Sequence, residues 1–102
     1  MLQNVLNKTS LLEKIQQHKQ QIMSFGVKRL SLFGSFVRDK AIDTSDIDFL
    51  VEFEFGKKTY DNFMDLSFFL ESIFGRKVEL VTPQSLSKYT GHHILSEAEY
   101  VF

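Results

Sequence analysis

Between Phe33 and Val51 the chain reads Gly34-Ser35-Phe36-Val37-Arg38 and then Ser45-Asp46-Ile47-Asp48-Phe49-Leu50-Val51, with ten residues separating Ser35 from Asp46. No other stretch restricts the fold as much. From Asp46 to Phe53 the residues alternate, so that Ile47, Phe49, Val51 and Phe53 share the core face of a strand, while Asp46, Asp48, Leu50 and Glu52 lie on the other. Upstream, Val27, Leu30, Leu32 and Phe33 stand among Lys28, Arg29 and Ser31, which predicts a strand over 27–33 that stops at Gly34. A strand feeding a glycine-serine turn that opens a helix leaves backbone N–H groups free for phosphate. Two aspartates in i, i+2 register project from one face of the next strand toward divalent cations.

The flanking segments supply helices. Ser10-Leu11-Leu12-Glu13 has the form of a capping box, and Leu11, Leu12, Ile15, Ile22 and Met23 recur at helical spacing up to Gly26, predicting one helix from about 10 to 25. A second helix is expected over Tyr60 to Phe74, closed by Gly75, after a loop around Gly56. Phe63, Leu66, Phe69, Leu70, Ile73 and Phe74 share its inner face, and their spacing marks them as core rather than as a base-stacking platform. Met64 and Phe68, four residues apart on the side that should be wet, are candidates for a partner-binding surface. Lys77 to Thr82 predicts a short strand ended by Pro83, with Val78 and Leu80 on one side and Glu79 on the other. Beyond it, a short helix near 84–88 and a helical segment from Ile94 to Tyr100 are expected. The whole predicts one α/β (α+β) domain over 1–102, a small mixed sheet flanked by helices.

Charge and composition narrow the partners. The 12 Lys and Arg against 13 Asp and Glu leave a net charge of −1, which gives no bulk electrostatic reason to wrap nucleic acid. The absence of cysteine removes disulfides, thiolate metal sites and cysteine nucleophiles, and suits a reducing cytoplasm. Met1 to Lys19 is polar and periodic, reading as neither signal peptide nor membrane span.

These pieces define a chemistry. Nucleotidyl transfer needs a triphosphate held, its charge neutralised and an attacking oxygen aligned with the leaving pyrophosphate. Mg²⁺ is commonly bound by one or two carboxylates plus substrate phosphates, a demand that Asp46 and Asp48 match. Glu79, inside the apolar frame of Val78, Leu80 and Val81, is the one acid in the right strand context to be a third; it could bind metal or accept the nucleophile's proton. Gly34 permits close backbone approach, Ser35 can donate to a phosphate oxygen, and Arg38 lies about one turn on, where a guanidinium could meet the triphosphate or remain a solvated surface charge. His92-His93 sit in a polar stretch and are set aside.

The three segments Gly34-Ser35-Phe36-Val37-Arg38, Ser45-Asp46-Ile47-Asp48-Phe49-Leu50-Val51 and Lys77-Val78-Glu79-Leu80-Val81-Thr82 resemble the motifs of minimal nucleotidyltransferases (MNT), within the DNA polymerase β-like nucleotidyltransferase superfamily. The resemblance covers about Val27 to Thr82. It implies an antitoxin of a HEPN/MNT toxin–antitoxin pair that transfers AMP from ATP to a tyrosine of a HEPN-domain ribonuclease toxin. It further implies Asp46, Asp48 and Glu79 as metal ligands and catalytic acids, and Gly34 and Ser35 as phosphate contacts. Glu79 stands where many relatives carry aspartate. Two other readings remain: a non-catalytic antitoxin that neutralises its partner by binding, and a small-molecule nucleotidyltransferase, against which the short sequence after Pro83 argues.

Overall fold

The computed structural model describes residues 6–38, 40–42 and 45–102; Met1 to Val5, the start of the polar N-terminal stretch, lie outside them. The first helix, α1 (Lys8–Gln17), is capped by Asn7, whose side chain accepts the Ser10 N–H at 2.9 Å while the Ser10 hydroxyl accepts the Asn7 N–H at 3.0 Å. Ser10 therefore closes a capping box instead of opening one, because asparagine caps as well as serine and takes the earlier position. The helix expected over 10 to 25 is two: α1 and α2 (Lys19–Ser24) meet at His18, which departs from helical geometry at φ −110°, ψ 15°. The His18 ring anchors the bend, with Nδ1 2.9 Å from the Lys14 carbonyl and a T-shaped contact to the Phe69 ring on the third helix, centroid to centroid 5.7 Å.

Strand β1 (Val27–Phe33) runs to the glycine as expected, and β2 (Ile47–Phe53) pairs with it antiparallel. Helix α3 (Tyr60–Phe74) also has the expected bounds. The Thr59 side chain accepts the Asn62 N–H at 3.1 Å at its start, and Gly75 ends it in the left-handed region at φ 65°. Glycine adopts that conformation without the Cβ penalty. From there β3 (Val78–Val81) returns parallel to β2, a pairing that requires a crossover such as α3.

The last twenty residues differ from expectation. A 3₁₀ turn occupies Pro83–Ser85, helix α4 spans Lys88–Glu97, and the helical segment expected to run to Tyr100 stops short of a strand, β4 (Glu99–Tyr100). That strand pairs antiparallel with the free side of β1, Ser31 opposite Tyr100 and Leu32 opposite Glu99. Backbone groups that would continue the helix are satisfied by Leu30, which donates to Phe102 at 3.0 Å and accepts from Val101 at 2.9 Å. The sheet order is β3-β2-β1-β4, with one parallel and two antiparallel pairings, the mixed sheet flanked by helices that the sequence predicts.

One apolar cluster joins Leu11, Ile15 and Ile22 of the first two helices to Leu66 and Leu70 of α3 and to Ile47, Phe49 and Val51 of β2. Phe69, Ile73 and Phe74 pack against its margin. Leu50, expected beside Asp48 on the polar face, is buried as well, so the second face of β2 is only partly open to solvent. Phe68 is 60% exposed, whereas Met64 is half buried. Leu70→Ala is expected to cost about 2–5 kcal/mol in urea unfolding, since it opens a cavity at a fully buried site. Phe68→Ala, on the same helix, should stay within about 0.5 kcal/mol; equal losses would contradict this division of α3 into two faces.

Candidate active site

The strand register assembles the site. In the β1–β2 ladder Phe33 lies opposite Asp48, and in the β2–β3 ladder Asp48 lies opposite Glu79. The strand residue just before the first motif, the second aspartate of the next and the third acid are thereby neighbours on three adjacent strands. Gly34 turns the chain out of β1 with φ 80°, and a Cβ built there would collide with the Asp48 carboxylate. Both the left-handed backbone and the closeness of the acid thus require glycine.

The helix expected to open at Gly34-Ser35 is short, a 3₁₀ turn over Gly34–Phe36 extended by Val37 and Arg38, whose N–H groups both donate to the Gly34 carbonyl. Ser35 is half buried in this turn, and its carbonyl accepts the Lys40 N–H at 2.9 Å. Phe36 anchors the turn in the core. Arg76, just after the α3 cap, places its guanidinium 5.5 Å from the Phe36 ring centroid and donates to the Ser45 carbonyl at 3.0 Å and the Ile42 carbonyl at 3.3 Å. It ties the turn to the segment that delivers Asp46 into β2.

Asp46 and Asp48 are half buried, and Glu79 is exposed. Among the described residues no group of three or more His, Cys, Asp or Glu side chains is disposed to hold a metal ion unaided. Asp46, Asp48 and Glu79 nonetheless share an electric field. The Asp48 carboxyl is pushed up to about 6, first by burial, then by the charge of Glu79, then by Asp46, with a further push from Glu97 and an opposing pull from Arg38. Hard carboxylate oxygens under mutual repulsion are the donor chemistry that suits a cation such as Mg²⁺, with substrate oxygens completing its shell.

Two residues passed over in the sequence enter the site from α4. The Glu97 carboxylate accepts the Gly34 N–H at 3.2 Å and is chelated by Arg38 Nη1 at 2.9 and 3.2 Å, so Arg38 is not a free surface charge. His93, one turn before it, lies 3.7 Å from the same carboxylate. With Phe33, Asp48 and Ile94 they line a cleft of about 480 Å³, inside the range of small-molecule sites, about 300–1,000 Å³. A helix that crosses back over the mouth of a strand turn sixty residues upstream leaves no local sequence signal.

A model of the nucleotidyltransferase domain family matches residues 10–101. This chain belongs to that family. The protein adenylyltransferase MntA of Thermococcus cleftensis is 38% identical over 85 residues, covering 82% of this chain and 85% of the relative. A solved minimal nucleotidyltransferase superposes with a TM-score of 0.80 at 28% identity, covering 94% of this chain and 97% of that one. One chain of a solved complex between a tri-AMPylated Shewanella oneidensis HEPN toxin and an MNT antitoxin aligns with a TM-score of 0.66 at 19% identity, over 93% of this chain and 71% of that one, and shares the fold. The chain is thus a nucleotidyltransferase of the minimal, MNT type, with the mixed sheet of that fold.

The raised Asp48 carboxyl has a consequence for stability. The folded state holds its proton up to about pH 6, whereas the unfolded chain releases it near 3.8. Folding is therefore penalised increasingly as pH rises between those values, and fully above them. Asp48→Asn is expected to raise the Tm at about pH 8 and to lose that advantage near pH 4, which thermal scans across the range will read. A gain that is the same at every pH would mean packing, not charge, limits the site.

Proposed function

We propose that this nucleotidyltransferase transfers AMP from ATP to a tyrosine hydroxyl of a HEPN-type ribonuclease toxin in the cytoplasm, and so acts as its antitoxin. The observation that carries the reading is the juxtaposition of Gly34, at the turn out of β1, with Asp48 and Glu79 on the two neighbouring strands. Support comes also from the relative that is a protein adenylyltransferase and from the shared fold of an MNT antitoxin bound to an AMPylated HEPN toxin.

In this mechanism the Gly34 N–H and the Ser35 hydroxyl hold the triphosphate, and Arg38 orients it. Asp46, Asp48 and Glu79 would hold Mg²⁺, which supplies charge neutralisation when bound. The tyrosine oxygen forms a bond to the α-phosphorus, the bond from that phosphorus to the β-bridging oxygen breaks, and pyrophosphate leaves. Glu79, exposed at the sheet edge, would accept the hydroxyl proton of an incoming macromolecule. No helix among the described residues is long and apolar enough to cross a membrane. The exposed Phe68, with Met64 beside it, offers apolar surface on α3 for the toxin, making a hetero-oligomer.

A second reading, neutralisation by contact alone, draws on the exposure of Glu79 and on the lack, among the described residues, of a three-acid group ready to hold an ion. Intact-mass spectrometry of a HEPN partner incubated with this protein, Mg²⁺ and ATP separates the two. The enzyme reading expects mass gained in whole AMP units. It further expects a loss of at least roughly a hundredfold in rate for the Asp46→Asn, Asp48→Asn double variant, with the complex retained. An unmodified partner that binds both proteins equally, and is silenced by both, would establish the contact-only antitoxin.

A further inference from the structure

Glu97 satisfies the donors that a nucleotide phosphate would use. Its Oε1 accepts the Gly34 N–H at 3.2 Å, and its two oxygens take Arg38 Nη1 at 3.2 and 2.9 Å. The Glu97 side chain is 16% exposed and that of Arg38 49%, so the acid is the more enclosed of these two residues lining the cleft. To a backbone N–H and a guanidinium, a carboxylate oxygen and a phosphate oxygen are equivalent acceptors of a charge-assisted hydrogen bond. Both cannot occupy the same donors. Glu97 also carries its charge close enough to Asp48 to add to the upward push on that carboxyl, which marks the pocket as already rich in negative charge.

We propose that Glu97 is a built-in stand-in for the nucleotide's phosphate, holding the Gly34 N–H and Arg38 in their places in the absence of nucleotide and giving them up when a triphosphate enters. The inference rests on the nucleotide site proposed above and adds to it a competitor carried by α4. Glu97 is the last residue of that helix, with only Ala98 between it and the first residue of β4. The carboxylate is therefore carried at a helix end, where a side chain can leave its partners while β4 stays paired with β1. An occupied donor pair makes the site poor at capturing triphosphate at low concentration, and it spares the Gly34 N–H from standing unsatisfied in a part-buried turn.

The test is calorimetric titration of the whole protein with Mg²⁺ and the non-hydrolysable analogue α,β-methylene-ATP. Glu97→Gln keeps the shape of the side chain and removes the charge; it is expected to bind the analogue about tenfold more tightly, the scale of one charge-assisted hydrogen bond. In an Arg38→Ala background the same change should gain much less, since one of the contested donors is gone. Unchanged or weaker binding by Glu97→Gln, with a wild type that binds, would overturn this inference and leave the nucleotide site standing. Absence of binding in both proteins would overturn the site and the inference together. Should Glu97→Gln not fold, the wild type serves: the ¹³C resonance of the Glu97 carboxyl and the Gly34 amide must move together on adding the analogue. A stationary Glu97 carboxyl while the Gly34 amide shifts would refute displacement.

Discussion

The contact between the Asp48 carboxylate and the backbone of Gly34 exists only because residue 34 has no Cβ and takes a positive φ. That contact sets the register of the two central strands. If β1 and β2 slipped by one residue, the acid would turn to the opposite face, into the cluster around Phe49 and Val51, and the glycine would face an apolar side chain. Correct register puts three acids in one field, and burial compounds their repulsion. The sheet is thus held against an electrostatic opposition by the apolar face behind it, where Ile47, Phe49 and Val51 are fully buried. Core and site sit on alternate residues of one strand.

Legibility followed the range of the interactions. β1, α3 and the end of β2 could be read because their signals are local: alternation, and glycines at the ends of the first two. The bend at His18 was hidden because it depends on Phe69, half the chain away, and β4 because two residues carry no period of their own. For the site, Gly34, Asp48 and Glu79 were found as motif residues and the register brings them together. Glu97 was missed since its role arises from a helix folding back over the turn, a relation that no spacing near it encodes. Arg38 was recognised, but its partner was not.

A small domain that concentrates like charge in a half-buried cleft gives up stability that its modest core must offset. Arg38 and Glu97 temper this. The guanidinium lowers the local negative potential while the carboxylate keeps that guanidinium and a backbone donor ordered. Order before ligand arrival matters for transfer chemistry, because donors that are already aimed need no reorganisation at the moment of reaction.

Arg76 bears on how such chains can vary. It grips the carbonyls of Ile42 and Ser45 and lies over Phe36, so the segment linking the phosphate turn to the aspartates is fastened near both ends by the residue just before the third motif. What holds the aspartates in place is then the distance between fasteners, not the count of residues between them. A longer connection could bulge outward at little entropic cost and leave the aspartates where they are, so the length of the ten-residue gap is open to drift wherever an arginine still clasps the two ends.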